Sequence, residues 1–415
     1  MCGIVGYIGK EQAAPILLEG LARLEYRGYD SAGICVAENG VLDVAKCKGR
    51  LKNLAAMTEN GALLHGTAGI GHTRWATHGE PNDINSHPHV SQNGKVALVH
   101  NGIIENYLEI REFLEDKGVQ FTSQTDSEVV AQLLEYCLGL DEVHCMQDAI
   151  YMVLHRIEGA YAFGIVCADD PERIYAARKD APLLLGYGDG CNFIASDVTA
   201  LVKYTRDVSY MEDGEVAVLT RDSIQVFNAM ELPIEKEHHH VDWEISAAEK
   251  GGYPHFMLKE IMEQPEALRR AITPRVKDGR IDFGDLILSR QTVENFSRIM
   301  IIACGSSYHV GMLGKYTIEK LTRIPVEAVL ASEFRYCDPI VDDRTLVIVI
   351  SQSGETLDTM AALREAKARG ARVLSIVNVV GSSIARESDD VLYTWAGPEI
   401  AVATTKAYST QLAVI

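Results

Sequence analysis

MCGIVGYI, residues 1–8, is a short apolar strand pattern with a cysteine at position 2 and glycines at positions 3 and 6. A cysteine there is either a small buried hydrophobe at the head of a strand or, with Met1 removed, the first residue of the chain. In the second case its thiol lies beside its own α-amine. Such amines titrate at about 7.7–8.0 and thiols at about 8.5, so a proton passes between them with little penalty at neutral pH. No separate histidine is then required. Gly3 and Gly6 leave room for a substrate against the backbone. The neighbouring motifs decide between the two readings.

Outward from this strand, the first 230 residues hold more runs of the same kind: SAGICVAE, AGIGHTRW, KVALVHNG, YAFGIVCADD, RIYAARK, CNFIASD and EVAVLTRD, most of them bounded by Gly, Asn or Asp. Between them QAAPILLEGLARLEY, ENYLEIREFLEDKG and SEVVAQLLEYCLG place apolar residues at three- and four-residue steps, which predicts helices. The pattern is that of a mixed α/β domain, sheet layers covered by helices. NAMELPIEKEHHHVDWEISAAEKGGYP predicts a linker. Past it SRIMIIACGSS, TLVIVISQSG and RVLSIVNVVGSS are apolar strands that run into Gly/Ser turns, separated by helical stretches such as TMAALREAKARG. That alternation predicts a parallel doubly wound sheet. The expected boundaries are a first domain over 1–235, a linker and connecting helix over 236–282, and a second domain over 283–415. The chain stops at TQLAVI inside an apolar helical pattern, which reads as an end cut short.

At 415 residues the chain exceeds what one core holds, so two or three domains are expected. Its 58 acidic and 39 basic side chains give a net charge of -19, which argues against binding nucleic acid or an anionic membrane. With no run of eighteen apolar residues and no basic-then-apolar leader, it reads as soluble and cytoplasmic. Nine cysteines without a CxxC pair fit neither a disulfide framework nor a zinc ribbon, so reduced thiols are expected.

The company of Cys2 is GHTRWATHG (71–79), VHNG (99–102) and QTDSE (124–128). Together they supply what glutamine chemistry requires. Arg74 can hold an α-carboxylate by a two-pronged contact, and Asp126 can hold an α-ammonium. Asn101 and Gly102, after an apolar strand, can aim a side-chain amide and a backbone N–H at a tetrahedral oxyanion. Each also has an ordinary reading: Arg74 and Asp126 as paired or surface charges, Asn101-Gly102 as a hairpin turn, Trp75 as core. His72, His87, His89 and His100 fit no zinc spacing and are read as satisfied or exposed; His238 to His240 are read as solvated linker. In TLVIVISQSGETLDT an apolar strand ends in hydroxyl residues and a glycine before a helix, a combination that favours a phosphate or simply caps the helix. IIACGSSYH repeats the arrangement, and open parallel sheets bind ligands beyond the carboxyl ends of their strands.

MCGIVGYI, LEYRGYDSAG, GHTRWATHG, VHNG and TDSE, in this order and spacing, resemble the glutaminase domain of the glutamine–fructose-6-phosphate aminotransferase family, and the likeness spans essentially all 415 residues. The resemblance implies a class II N-terminal-nucleophile amidotransferase: a four-layer αββα domain followed by a flavodoxin-like αβα sugar isomerase (SIS) domain. It makes Cys2 the nucleophile and Asn101 with Gly102 the oxyanion hole. Arg74, Thr77, His78 and Asp126 would bind glutamine, Trp75 would gate an ammonia channel, and Arg27 falls in a signature near the nucleophile. In the second domain Cys304, Gly305, Ser306, Ser307, Ser351, Gln352, Ser353 and Thr356 would line a sugar-phosphate site with Val402 nearby. Ser351, Ser353 and Thr356 are the expected phosphate ligands, and Cys304 a pocket wall. Ser306 departs from the family's common Thr but keeps the hydroxyl.

The resemblance further implies glutamine and fructose-6-phosphate as substrates, no metal, no cofactor, and a homodimer for the full-length form. Glutamine would be hydrolysed through a thioester, and in the full family enzyme the ammonia would convert fructose-6-phosphate to glucosamine-6-phosphate for amino-sugar synthesis. The family's second SIS domain and tail, with the acid–base glutamate, Schiff-base lysine and ring-opening histidine, are not assignable here, and Lys406 is not in the Schiff-base motif. These residues are therefore expected to perform the glutaminase half-reaction only. Two other classes stay open. Another Cys-first amidotransferase, such as the phosphoribosylpyrophosphate or asparagine enzymes, is opposed by SQSGET. A non-catalytic sugar-phosphate sensor would be indifferent to Cys2→Ala.

Overall fold

The structure is a computed structural model that describes residues 2–25, 28–75, 79–241, 250–284 and 290–415. They separate into two compact units, Met1–Asp242 and Trp243–Ile415.

The first unit begins with β1 (Gly3–Ile8), α1 (Ala13–Ala22), β2 (Ser31–Glu38), β3 (Val41–Lys48), α2 (Leu51–Met57), β4 (Ala68–Arg74), β5 (His89–Val90) and β6 (Val96–Ile104). Helices α3 (Tyr107–Asp116), α4 (Glu128–Leu138) and α5 (Met146–Leu154) follow, then β7 (Gly159–Cys167), β8 (Asp170–Lys179), β9 (Leu184–Tyr187) and β10 (Asn192–Ala195). It closes with β11 (Asp207–Tyr210), β12 (Val216–Leu219), β13 (Ile224–Phe227), β14 (Pro233–Ile234) and β15 (His239–His240). One antiparallel sheet has the order β15-β11-β9-β10-β1-β4-β2-β3, the other β14-β13-β12-β8-β7-β6-β5.

Strand parity builds the layers. Along β6, Val96 and Leu98 join the core under α3, α4 and α5, while Ala97 and Val99 face Ile4, Ile70 and Ile194 of the other sheet. On the far side, Leu17 and Leu21 of α1 lie where Gly69 and Gly71 of β4 leave room for them. Helices, sheet, sheet and helices give the expected four layers. The predicted strand runs form β1, β2, β4, β6, β7, β8, β10 and β12. His238 to His240, read as linker, are largely exposed as expected, yet His239 and His240 pair with β11 and extend the first sheet.

The second unit comprises α6 (Phe256–Ile272), β16 (Val276–Lys277), β17 (Arg280–Ile281), α7 (Arg290–Glu294), β18 (Arg298–Ala303), α8 (Gly305–Thr322), β19 (Val326–Leu330) and α9 (Ala331–Tyr336). It continues with β20 (Thr345–Ser351), α10 (Leu357–Ala368), β21 (Arg372–Val377), α11 (Ser383–Glu387), β22 (Asp390–Tyr393) and α12 (Lys406–Val414). Five parallel strands lie in the order β19-β18-β20-β21-β22. In chain order that is 2-1-3-4-5, the flavodoxin-like winding. Both faces are covered, Met300 and Ile302 packing toward Phe334 and Leu363, and Ile299 and Ile301 toward Val310 and Val414. This explains why the strands are continuously apolar. Within the stretch read as linker and connecting helix, α6 is built into this unit: the Glu260 carboxylate accepts the Ile400 and Ala401 N–H groups, and Lys406 pairs with Glu263 at 2.6 Å. Among the described residues no helix is long and apolar enough to cross a membrane.

Candidate active site

Register brings the first set of residues together. β1 runs antiparallel to β4 with Gly3 opposite Thr73, so residue 2 emerges beside Arg74 and Trp75. There the Trp75 N–H donates to Cys2 Sγ at 3.2 Å, and Sγ approaches the Trp75 carbonyl at 3.6 Å. Burial pushes the Cys2 thiol up, while the Trp75 N–H and the Arg74 guanidinium pull it back down. The resting group is thus a held, protonated thiol.

From the second sheet, Asn101 donates through Nδ2 to the Cys2 carbonyl at 3.1 Å. Asn101 and Gly102 are not a hairpin turn: β6 continues through them to Ile104, paired with Ala162 and Tyr161 of β7. The reason is Gly102 itself. It takes φ +132°, and a Cβ there would lie 2.0 Å from the Ala160 carbonyl oxygen, so only glycine lets the strand run on. The result is a side-chain amide and a backbone N–H adjacent on one strand beside the thiol.

Arg74, 5% exposed, sends Nη2 to the Gly79 carbonyl at 3.3 Å. Burial lowers its guanidinium value, and the nearby Cys2, Asp126 and Asp30 charges oppose that loss. Asp126 is equally buried and is anchored by one oxygen, Oδ2, which accepts the Ile104 N–H at 2.8 Å. An anchored cation therefore lies beside the thiol, with an anchored anion near that cation. The Trp75 ring stands edge-on to Tyr29 with 5.3 Å between centroids and is over a third exposed, so it is not core. Thr77, His78 and Arg27 lie outside the described residues.

Sequence reading gives His72 no part in the site. Of the two readings left open for His72, His87, His89 and His100, satisfied or exposed, exposure does not hold: all four are buried, and the rings of His72, His87 and His89 succeed one another at 4.2 and 4.6 Å. Among the described residues no group of three or more His, Cys, Asp or Glu side chains is arranged to hold a metal ion.

In the second unit the predicted residues cluster at the carboxyl ends of β18 and β20, adjacent strands flanking the point where the winding reverses. Cys304, Gly305, Ser306 and Ser307 lead into α8, and Ser351 to Thr356 lead into α10. Ser351 Oγ accepts the Gly354 N–H at 3.0 Å and bonds Thr356 Oγ1 at 3.0 Å, while Ser353 Oγ accepts the Glu355 N–H at 3.2 Å. Gln352 is tied by its carbonyl to the Asn378 N–H. Gly354, at φ +68°, packs so tightly that a Cβ would lie 1.9 Å from Ser382 Oγ. Ser307 bonds Gln411 at 3.2 Å, and Cys304, whose thiol burial pushes up, accepts from Thr359. Val402 is two-thirds exposed on the loop before α12. Such a pair of strand-to-helix turns, rich in N–H and O–H donors, suits a phosphate.

A glutamine amidotransferase domain family matches residues 72–203, and the SIS domain family matches residues 294–415. The glutamine–fructose-6-phosphate aminotransferase [isomerizing] of Caldanaerobacter subterraneus subsp. tengcongensis is 57% identical over 99% of this chain and 67% of its own length. That of Clostridium tetani is 54% identical over the same shares. A solved C-terminal domain of glucosamine-fructose-6-phosphate aminotransferase from Francisella tularensis is 47% identical, over 40% of this chain and 46% of that one, with a TM-score of 0.38.

Proposed function

The chain belongs to the glutamine–fructose-6-phosphate aminotransferase (isomerizing) family of enzymes, and on that premise we propose that Cys2, once Met1 is removed, is the nucleophile that hydrolyses glutamine. The observation that carries this reading is the seat of Cys2, its Sγ 3.2 Å from the Trp75 N–H and its carbonyl 3.1 Å from Asn101 Nδ2. Arg74 takes the α-carboxylate and Asp126 the α-ammonium, which sets the γ-carboxamide against the thiol. The free α-amine accepts the thiol proton as sulfur bonds to the amide carbon. The oxyanion forms between Asn101 Nδ2 and the Gly102 N–H, and its collapse expels ammonia as the amine returns the proton. Water then cleaves the γ-glutamyl thioester to glutamate and regenerates the thiol.

The second unit binds fructose-6-phosphate, its phosphate at Ser351, Ser353 and Thr356. Transfer of ammonia to the sugar, giving glucosamine-6-phosphate, belongs to chains of the relatives' full length, of which these residues span 67%. The test is a paired assay for glutamate and glucosamine-6-phosphate, with intact mass confirming removal of Met1. Glutamate alone is expected, and none after Cys2→Ala. Unchanged turnover in Cys2→Ala would refute the nucleophile, and sugar product from the 415 residues would refute the division of labour.

A further inference from the structure

Asn101 offers one acceptor and two donor hydrogens, and its surroundings decide which end points where. Nδ2 faces the Cys2 carbonyl at 3.1 Å, and Oδ1 lies 3.0 Å from His72 Nε2. The same His72 nitrogen is 3.1 Å from the His100 carbonyl oxygen. A carbonyl only accepts, so Nε2 carries a hydrogen, and Asn101 meets it with oxygen. The ring's protonation does not blur this: burial holds the His72 value down at about 3, leaving a neutral Nε2–H donor across the working range of pH. Nor can the ring turn over profitably. His72 is 1% exposed, His87 lies 4.2 Å from it, and Nδ1 has no partner among the described residues. The bond also crosses between layers, from β4 in one sheet to β6 in the other.

We propose that His72 is a positioning residue for glutamine hydrolysis, its Nε2–H holding the Asn101 amide so that Nδ2 faces the oxyanion. The inference rests on the reading of Cys2 as nucleophile and Asn101 as oxyanion donor. An amide's two ends are nearly the same size, so without this partner Asn101 turns over easily. Its oxygen would then face the developing negative charge and repel it. Loss of one oxyanion donor lowers kcat by about 10²–10³; stranding the buried Oδ1 without a donor disfavours the productive orientation by about 10- to 100-fold, and kcat falls by the same factor.

The test uses the 415-residue chain with Met1 removed. His72→Phe keeps a ring and removes the donor; His72→Gln restores an N–H. Each is measured for glutamine kcat and KM, and for affinity toward glutamate and toward glutamate 5-semialdehyde, an aldehyde whose thiol adduct places an oxygen in the oxyanion position. Alkylation of Cys2 by iodoacetamide, which needs no oxyanion hole, reports thiol reactivity. Expected for His72→Phe is a loss of kcat of about 10- to 100-fold with a matching loss of aldehyde affinity. KM, glutamate affinity and alkylation rate stay within about threefold, His72→Gln recovers most of the loss, and His72→Phe adds nothing in an Asn101→Ala background. Undiminished kcat, an equal further loss in that background, or a parallel fall in alkylation and glutamate affinity overturns the role of His72. Absence of Cys2-dependent turnover in the unsubstituted chain instead overturns the underlying reading of the site, and the inference with it.

Discussion

Replacing Gly102 by alanine tests whether the proposed oxyanion site depends on the close approach of β6 to β7. The added Cβ would lie 2.0 Å from the Ala160 oxygen and 2.7 Å from its carbon, where unstrained contacts need about 3.5 Å, so the strand must move by more than about 1 Å. The backbone is strained as well, because φ +132° is a conformation L-residues rarely adopt; such strain costs about 1–3 kcal/mol. Displacing a reacting group by about 1 Å can cost about 10²-fold, and losing an oxyanion donor about 10²–10³-fold, or about 2.7–4 kcal/mol. We expect kcat for glutamine to fall by about 10²-fold or more, measured as glutamate release. Melting should drop by about 3–10 °C, given about 2–4 °C per kcal/mol for a unit of this size. Gly94→Ala is the control. Gly94 has φ +73° in a turn where a Cβ would meet nothing within 4 Å, so it carries backbone strain without displacement and should leave kcat intact. A Gly102→Ala protein with kcat within threefold of the parent and unchanged melting would refute the argument.

Burial holds His72, His87, His89 and His100 below their ordinary value, so the folded first unit rejects protons that the unfolded chain binds below about pH 6.5. Stability is complete above that pH and falls as pH drops, by up to about 1.4 kcal/mol per unit for each histidine; urea midpoints flat from pH 7.5 to 5 would contradict this. Lys46 Nζ donates to the Ile84, Ser86 and Pro88 carbonyls at 3.2, 2.8 and 3.1 Å, so Lys46→Met should strand three acceptors and destabilise the first unit by about 3 kcal/mol, read as a melting shift of about 6 °C or more. Ser351→Ala removes the acceptor of the Gly354 N–H and the partner of Thr356, and should weaken fructose-6-phosphate binding by about tenfold in calorimetry while glutamine hydrolysis is unchanged.

The strands of both units stand out in the sequence because burial on one or both faces leaves a period-two or continuous apolar trace. β3 does not: VLDVAKCK lies at the edge of its sheet, half exposed, and its polar alternation resembles a loop. The Asn101-Gly102 pair misleads in the opposite direction, since Asn-Gly is the commonest hairpin signal, and only the Ala160 contact reveals a glycine placed to continue a strand. The histidine cluster is invisible to spacing, because its members come from β4, β5, β6 and an irregular segment and meet only across layers. Glu260 reads as an ordinary helix charge, yet it is 1% exposed and fixes the backbone at Ile400 and Ala401, the turn that leads to Val402. The order of the parallel strands is likewise unwritten, although the Gly/Ser turns at its switch point are plain.

One regularity joins the fold to the chemistry. On β1 the residues facing the second sheet are Ile4 and Ile8, and Cys2 shares their parity; on β4 they are Ala68 and Ile70, continued by His72 and Arg74; on β6 they are Ala97 and Val99, continued by Asn101. The proposed nucleophile, carboxylate-binding cation, oxyanion donor and positioning histidine are therefore the polar continuation of the inter-sheet core. The thiol and the Asn101 amide sit on different sheets, so their separation is set by the thickness of that layer. Small residues fit the two sheets together there: Ala97, Ala162, Ala176 and Ala217 lie among the larger side chains, and Gly6 and Gly164 make room for Ile194, which a Cβ would meet at 2.5 and 2.8 Å. Catalytic groups must be held within about 0.5 Å, and close-packed interiors have that stiffness. An added methylene in such a layer costs about 1–3 kcal/mol by forcing the sheets or their side chains apart. Here the same displacement would separate Cys2 from Asn101, so on the proposed mechanism a methyl group added to these buried alanines and glycines should lower glutamine turnover without touching the substrate.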